Sequence, residues 1–209
     1  MADHASIAPL DHSAFNGFAF TPENKAKADW HIAKYPAGRQ QSAVMPLLDL
    51  AQRQVGQQTN TQGWLPVPVI EYVADYLGMP YIRTYEVASF YTMYNLAPVG
   101  RFHVQLCGTT PCWIKGSDEV MRACKDLGLA KGATTADGLF TLTEVECLGA
   151  CVNAPMVQIN DDFYEDLTFE TTRSILEDLK AGRTPKVGPQ VDRQFSAPLG
   201  GPTTLKGAA

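Results

Sequence analysis

"RFHVQLCGTTPC" runs from Arg101 to Cys112, and "LFTLTEVECLGAC" from Leu139 to Cys151. In the first, Phe102, Val104 and Leu106 alternate with His103 and Gln105, the period-two pattern of a β-strand, which leads straight into Cys107. The second reads as another strand, "LFTLTEVE", ending at Cys147. Each strand delivers a cysteine pair to a loop: C-x4-C at Cys107 and Cys112, then, 34 residues on, C-x3-C at Cys147 and Cys151. Between the pairs, Val120, Met121, Cys124 and Leu127 mark one face of a helix. Strand, helix and strand form an α/β layer, and its two cysteine loops can meet at one end of the sheet, where open α/β layers place their sites.

Reading C-terminally, "MVQI" and "FYED" are short strands joined through Asn160-Asp161-Asp162, a hairpin turn. A last helix starts near Thr168, buries Ile175, Leu176 and Leu179, and ends at Gly182. Residues 184–209 carry four Pro and four Gly with no apolar period, so they read as an extended tail without a core of its own. Such a tail is expected to be mobile in the isolated chain and ordered in an assembly.

Reading N-terminally, the pattern becomes helical. Thr21-Pro22-Glu23 caps and opens a helix that must stop by Tyr35, before Pro36. Ala43, Val44, Leu47, Leu48, Ala51 and Val55 make the apolar stripe of a second, which Pro46 is expected to kink near its start. "PVIEYVADYLG" is a third, from Pro68 to Gly78, and "TYEVASFYTMYN" a short fourth. The expected organisation is an irregular arm over 1–20, a helical bundle over 21–97, an α/β domain over 98–183 and the tail over 184–209.

The net charge of −5 gives a nucleic-acid partner no electrostatic support, and no apolar run approaches the ~18 residues of a membrane span. The first residues lack both a secretory signal pattern and an Arg-rich transit pattern, since the first Arg is Arg39. The expected setting is a reducing cytoplasm, where paired cysteines are more often ligands or catalysts than structural bridges.

Four thiolates on two loops can hold one zinc ion or one [2Fe–2S] core, act as a redox dithiol, or be inert. Zinc sites favour C-x2-C knuckles and dithiol oxidoreductases need C-x-x-C, and neither is present. The wider two-iron core suits looser loops with small residues, such as Thr109, Thr110, Gly149 and Ala150. Spacing therefore favours the cluster and leaves the others open. Cys124 falls on the apolar stripe of its helix and reads as a small buried hydrophobe. His103 faces away from the apolar side of its strand and lacks the second histidine that a Rieske-type site needs. Glu144 and Glu146 read as solvated residues whose charge disfavours adding an electron nearby. Phe90, Tyr91 and Tyr94 are either an aromatic docking surface or the core of the bundle.

"DGLFTLTEVECLGACVNAP", Asp137–Pro155, resembles the signature of the two-iron ferredoxin subunit of respiratory complex I: D-x2-F-[ST]-x5-C-[LF]-G-x-C-x2-[GA]-P. Asp137, Phe140, Thr141, Cys147, Leu148, Gly149, Cys151, Ala154 and Pro155 meet every fixed position. "YPAGRQQSAVMPLLDLAQ", "YEVASFYTMYN" and "TTPCW" are similar to the same family, so the likeness covers about 21–183. It implies a helical bundle followed by a thioredoxin-like domain holding one [2Fe–2S] cluster on Cys107, Cys112, Cys147 and Cys151. It also implies a flavin subunit that binds FMN and NADH, with other peripheral-arm subunits of a proton-translocating NADH-quinone oxidoreductase. The expected location is cytoplasmic, peripheral to the inner membrane through that complex. No nucleotide fingerprint is present here, and no acid, base or nucleophile is required, so no catalytic residue is named. The same module occurs in NAD-linked hydrogenases and formate dehydrogenases.

Overall fold

A computed structural model of the chain describes residues 10–201 and 204. The arm's residues 1–9 and the tail's residues 202–203 and 205–209 lie outside the described residues. Contacts divide the chain into two compact units between Val99 and Gly100.

In the first unit, α1 spans Pro22–Ile32, α2 Val44–Thr59, α3 Val67–Leu77 and α4 Tyr81–Phe90. Thr21 caps α1 by accepting from the Asn24 amide at 3.2 Å. A 3-10 turn over Gln40–Ala43 leads into α2. Pro46 thus falls in the first turn of α2, where its missing N–H costs no helical hydrogen bond, so the residue fits without the expected break. Gly78 ends α3 in the left-handed region. The fourth helix begins earlier than its sequence pattern, because Pro80 starts it at Tyr81. Leu47, Leu48, Ala51 and Val55 are fully buried, as their spacing requires.

The described part of the arm, residues 10–20, is irregular apart from the 3-10 turn Ser13–Phe15, and it packs on the helices. Residues 10–20 lack a helical period, yet Phe20 is buried and stacks edge-on against Tyr72 at 5.2 Å, while Phe18 meets the same ring at 5.3 Å. Buried Gln54 latches them: its carbonyl accepts from the Thr21 amide at 3.0 Å and its amide donates to the Ala19 carbonyl at 2.8 Å. Aromatic area and a satisfied buried amide, rather than periodicity, bind this segment to the helices.

In the second unit, β1 spans Phe102–Cys107, α5 Thr110–Ile114, α6 Ser117–Asp126, β2 Ala133–Thr134, β3 Phe140–Val145, β4 Val157–Ile159, β5 Asp162–Glu165, α7 Phe169–Lys180 and β6 Gly188–Pro189. The sheet order is β2-β3-β1-β4-β5-β6. β1 and β3 are parallel, with Cys107 in register with Val145, and β1–β4 and β4–β5 are antiparallel. Val104 and Leu106 pack with Val120 and Cys124 of α6 and Ile175, Leu176 and Leu179 of α7 in one core. Asn160, in the left-handed region, makes the β4–β5 turn. A capping box between Thr168 and Thr171 starts α7.

The described part of the tail is extended and lies against the sheet. β6 pairs parallel with β5, the Gln190 amide donates to the Glu165 carbonyl at 3.0 Å, and Pro185 and Pro189 are buried. Prolines removed the periodic signal yet supply apolar surface, and their fixed φ leaves less chain entropy to lose on docking.

Candidate metal centre

The parallel β1–β3 register brings both cysteine loops to one end of the sheet. Cys107 is the last residue of β1, and Cys147 lies just beyond the end of β3. Cys112 sits in α5, which a strand-to-loop reading missed because it is barely more than one turn. Cys151 opens a 3-10 turn, Cys151–Asn153. Leu148 and Ala150 of the second loop pack against buried Cys107, Cys112 and Met156, so the two loops touch. Cys107 and Cys112 are buried, whereas Cys147 and Cys151 are exposed.

The sulfurs form two pairs. Cys147 Sγ and Cys151 Sγ lie 3.8 Å apart, and the Cys107 and Cys112 thiols are near enough to shift each other's ionisation. The pairs are in electrostatic reach of each other, since Cys107 acts on Cys151 and Cys151 on Cys112. Burial and the Cys107 thiol push the Cys112 pKa up to about 12. Burial also opposes ionisation of Cys107, but hydrogen bonds from the Thr109 hydroxyl and the Leu148 and Thr109 amides outweigh it and lower its pKa. The Thr109 Oγ1 stands 3.3 Å from Cys107 Sγ. The neighbouring Cys147 raises Cys151.

Backbone N–H groups face the sulfurs. The Leu148 and Thr109 amides favour the Cys107 thiolate, the Met156 amide favours that of Cys112, and Gly149 donates to Cys147 at 3.4 Å. Gly149 holds the left-handed conformation, where a side chain would be strained, and so turns its N–H back toward Cys147. Gly108 lies under the Glu144 carboxylate, which a Cβ there would strike. That carboxylate is paired with Lys131. Glu144 and Glu146 are solvated, as expected, and with Lys131, Thr109 and Thr110 they line a polar depression beside the first loop.

These residues fit a two-iron cluster. The donors are all sulfur, they are grouped two and two as two irons require, and amides stand where they stabilise an anionic core. Among the described residues, no three His, Cys, Asp or Glu side chains converge as the ligands of a single metal ion.

Cys124 is fully buried in the α6–α7 core, away from the loops, with its pKa raised to about 12 by burial. His103 is also buried; its Nε2 lies 2.9 Å from Thr143 Oγ1, and burial pushes its pKa down to about 4. It stands early in β1 with its ring engaged by β3, not by the loops. Phe90 and Tyr91 are exposed and stack on each other at 5.0 Å. Tyr94 is not part of that surface: it is core, donating to the Met45 carbonyl at 2.8 Å. Sequence reading missed Lys131, Asn153, Asp166 and Arg193 around the site, since each acts through a contact distant in sequence and lies outside any ligand spacing.

A family model for the thioredoxin-like [2Fe–2S] ferredoxin matches residues 28–180. The chain is 55% identical over 170 residues to the E subunit of the NADH-quinone oxidoreductase of Rickettsia bellii, covering 81% of this chain and 98% of that one. It is 56% identical over 170 residues, with the same coverage, to the corresponding protein of Rickettsia conorii. Among solved structures, it is similar in fold to an NAD+-reducing [NiFe]-hydrogenase in the air-oxidized state, with TM-score 0.52 and 18% identity over 63% of this chain and 23% of that chain. With its paired thiols on parallel strand ends and a match over most of its length, the chain belongs to the thioredoxin-like [2Fe–2S] ferredoxin family.

Proposed function

We propose that this chain is the two-iron electron-transfer subunit of an NADH-quinone oxidoreductase, with Cys107 and Cys112 on one iron and Cys147 and Cys151 on the other. The observation that carries the reading is the meeting of two thiol pairs at the shared end of β1 and β3, in a chain with high identity to named subunits of that enzyme over nearly their whole length. When bound, the cluster takes and returns single electrons.

The chain's own residues hold and tune it. The Leu148, Thr109, Gly149 and Met156 amides stabilise negative charge on the sulfurs, which favours thiolates and makes the added electron less costly. Burial of Cys107 and Cys112 shields one side from water, while exposed Cys147 and Cys151 face outward toward a donor or acceptor. Trp113 and Ile114 directly follow Cys112, and Val152 directly follows Cys151; all three are at least 60% exposed. Apolar side chains around a redox edge suit a docking surface, and the partner this reading assigns to it is the flavin subunit that binds FMN and NADH. No helix among the described residues is long and apolar enough to cross a membrane. The chain is thus read as a peripheral subunit on the cytoplasmic side, inactive by itself, within a proton-translocating assembly.

Iron, zinc and acid-labile sulfide analysis, with electron paramagnetic resonance before and after reduction, tests the reading. Two irons and two sulfides per chain with a signal only on reduction are expected. One zinc and no sulfide overturns it. NADH added to the cluster-loaded chain is expected to reduce it only when the flavin subunit is present.

A further inference from the structure

The family match ends at residue 180, yet the chain continues across the sheet edge and returns to the second ligand loop. Arg193 is the centre of this return. Its guanidinium makes a two-nitrogen contact with the Asp166 carboxylate, Nε to Oδ2 at 2.9 Å and Nη2 to Oδ1. Both side chains are largely buried, at 8% and 15% exposure. The same Nη2 donates to the Val152 carbonyl at 3.2 Å, and Nη1 to the Ala197 carbonyl at 3.3 Å. Val152 is the residue after Cys151, so the guanidinium grips the ligand turn by its backbone.

Asn153 closes the ring from the other side. Its side-chain amide donates to the Phe195 carbonyl at 3.0 Å and to Glu165 Oε2 at 2.9 Å, and its own carbonyl accepts from the Asp166 amide at 2.8 Å. The turn Cys151–Asn153 is therefore held at two successive residues, by the segment 188–197 and by Glu165 and Asp166 at the end of β5. A buried, bidentate guanidinium–carboxylate contact is directional and strongly orienting, unlike an exposed ion pair.

We propose that residues 188–197 are a strap that positions Cys151, and that Arg193 is its positioning residue. The strap rests on the reading of Cys147 and Cys151 as cluster ligands. Cys151 is exposed and its turn is a single 3-10 turn, so its sulfur is the ligand with least support from the sheet itself. The strap supplies that support from outside the family-matched region.

The test uses the full chain carrying its cluster, as wild type, Arg193→Ala and Arg193→Lys. The readouts are the reduced-state paramagnetic spectrum, the rate of iron release to a ferrous chelator, and the thermal midpoint. Arg193→Ala is expected to broaden or shift the spectrum and to release iron at least five-fold faster. Arg193→Lys keeps the charge but not the planar fork that spans Asp166 and Val152, so a smaller change in the same direction is expected. If Arg193→Ala does not accumulate folded, the spectrum and iron release of Arg193→Lys decide between the outcomes. A lower thermal midpoint with an unaltered spectrum and unaltered iron release would make the strap a stabilising element only and overturn the proposal. A wild-type chain without a two-iron signal overturns the cluster reading itself, whereas a wild-type signal that the variants leave untouched overturns the strap alone.

Discussion

Cys124 and the four loop cysteines share a side chain and differ in surroundings. Serine at Cys107, Cys112, Cys147 or Cys151 removes a soft thiolate from a two-and-two donor set, and each variant is expected to lose most of its iron and sulfide. Cys124→Ser leaves the donor set intact and buries a hydroxyl in the α6–α7 core. It is expected to keep the cluster signal and lower stability by about 1–3 kcal/mol, read by urea denaturation. His103 carries a pH dependence of its own. Burial holds its pKa at about 4 in the folded chain against 6.5 unfolded, so the unfolded state takes up the proton first as pH falls. The stabilising contribution is present above 6.5 and is lost as pH drops toward 4. Between roughly pH 7 and pH 5.5, wild type should lose about 1 kcal/mol more than His103→Gln, and equal losses would show that this imidazole is not held neutral.

At the scale of elements, alternation and capping signals gave the right types and near-right bounds. Phe102, Val104 and Leu106 did mark β1, and Thr168 did start α7, because strand alternation and N-caps act within a few residues. Thr168→Ala removes the hydroxyl that accepts from the Thr171 amide at 3.2 Å, and a loss of about 1 kcal/mol is expected on chemical denaturation. Elements without a period were missed for the same reason. α5 is too short to show a helical repeat, and β2 and β6 have two residues each and exist only through the strands they pair with. Tyr94 and Phe90 sit four residues apart on a segment rich in aromatics, and composition did not separate the core tyrosine from the exposed phenylalanine.

At the scale of the molecule, the fold places an apolar rim beside an exposed thiol pair. Trp113 and Val152 are the residues on which docking of the flavin subunit is proposed to depend. Trp113→Ser and Val152→Ser are each expected to weaken association about ten-fold or more, as loss of a buried interface anchor does, while the cluster spectrum of the free chain stays as in wild type. Titration calorimetry against the flavin subunit checks this, and undiminished affinity in both variants would move the docking surface elsewhere, with exposed Phe90 and Tyr91 the next candidates.

The thiol spacing proposed to hold the cluster, and the strand framework that bears it, are legible in the sequence alone. Four cysteines at x4 and x3 spacing, each pair after an alternating strand, specify two thiol-bearing loops, and such local spacing is written in consecutive residues. The signature around Cys147–Pro155 specified the family for the same reason. What grips those loops is set by contacts between distant parts of the chain. The parallel register of Cys107 with Val145, the Met156 amide on Cys112, the Lys131 partner of Glu144 and the Arg193 hold on Val152 join residues 13 to 44 positions apart. Such contacts depend on how the chain closes on itself, and no short window of residues records that closure.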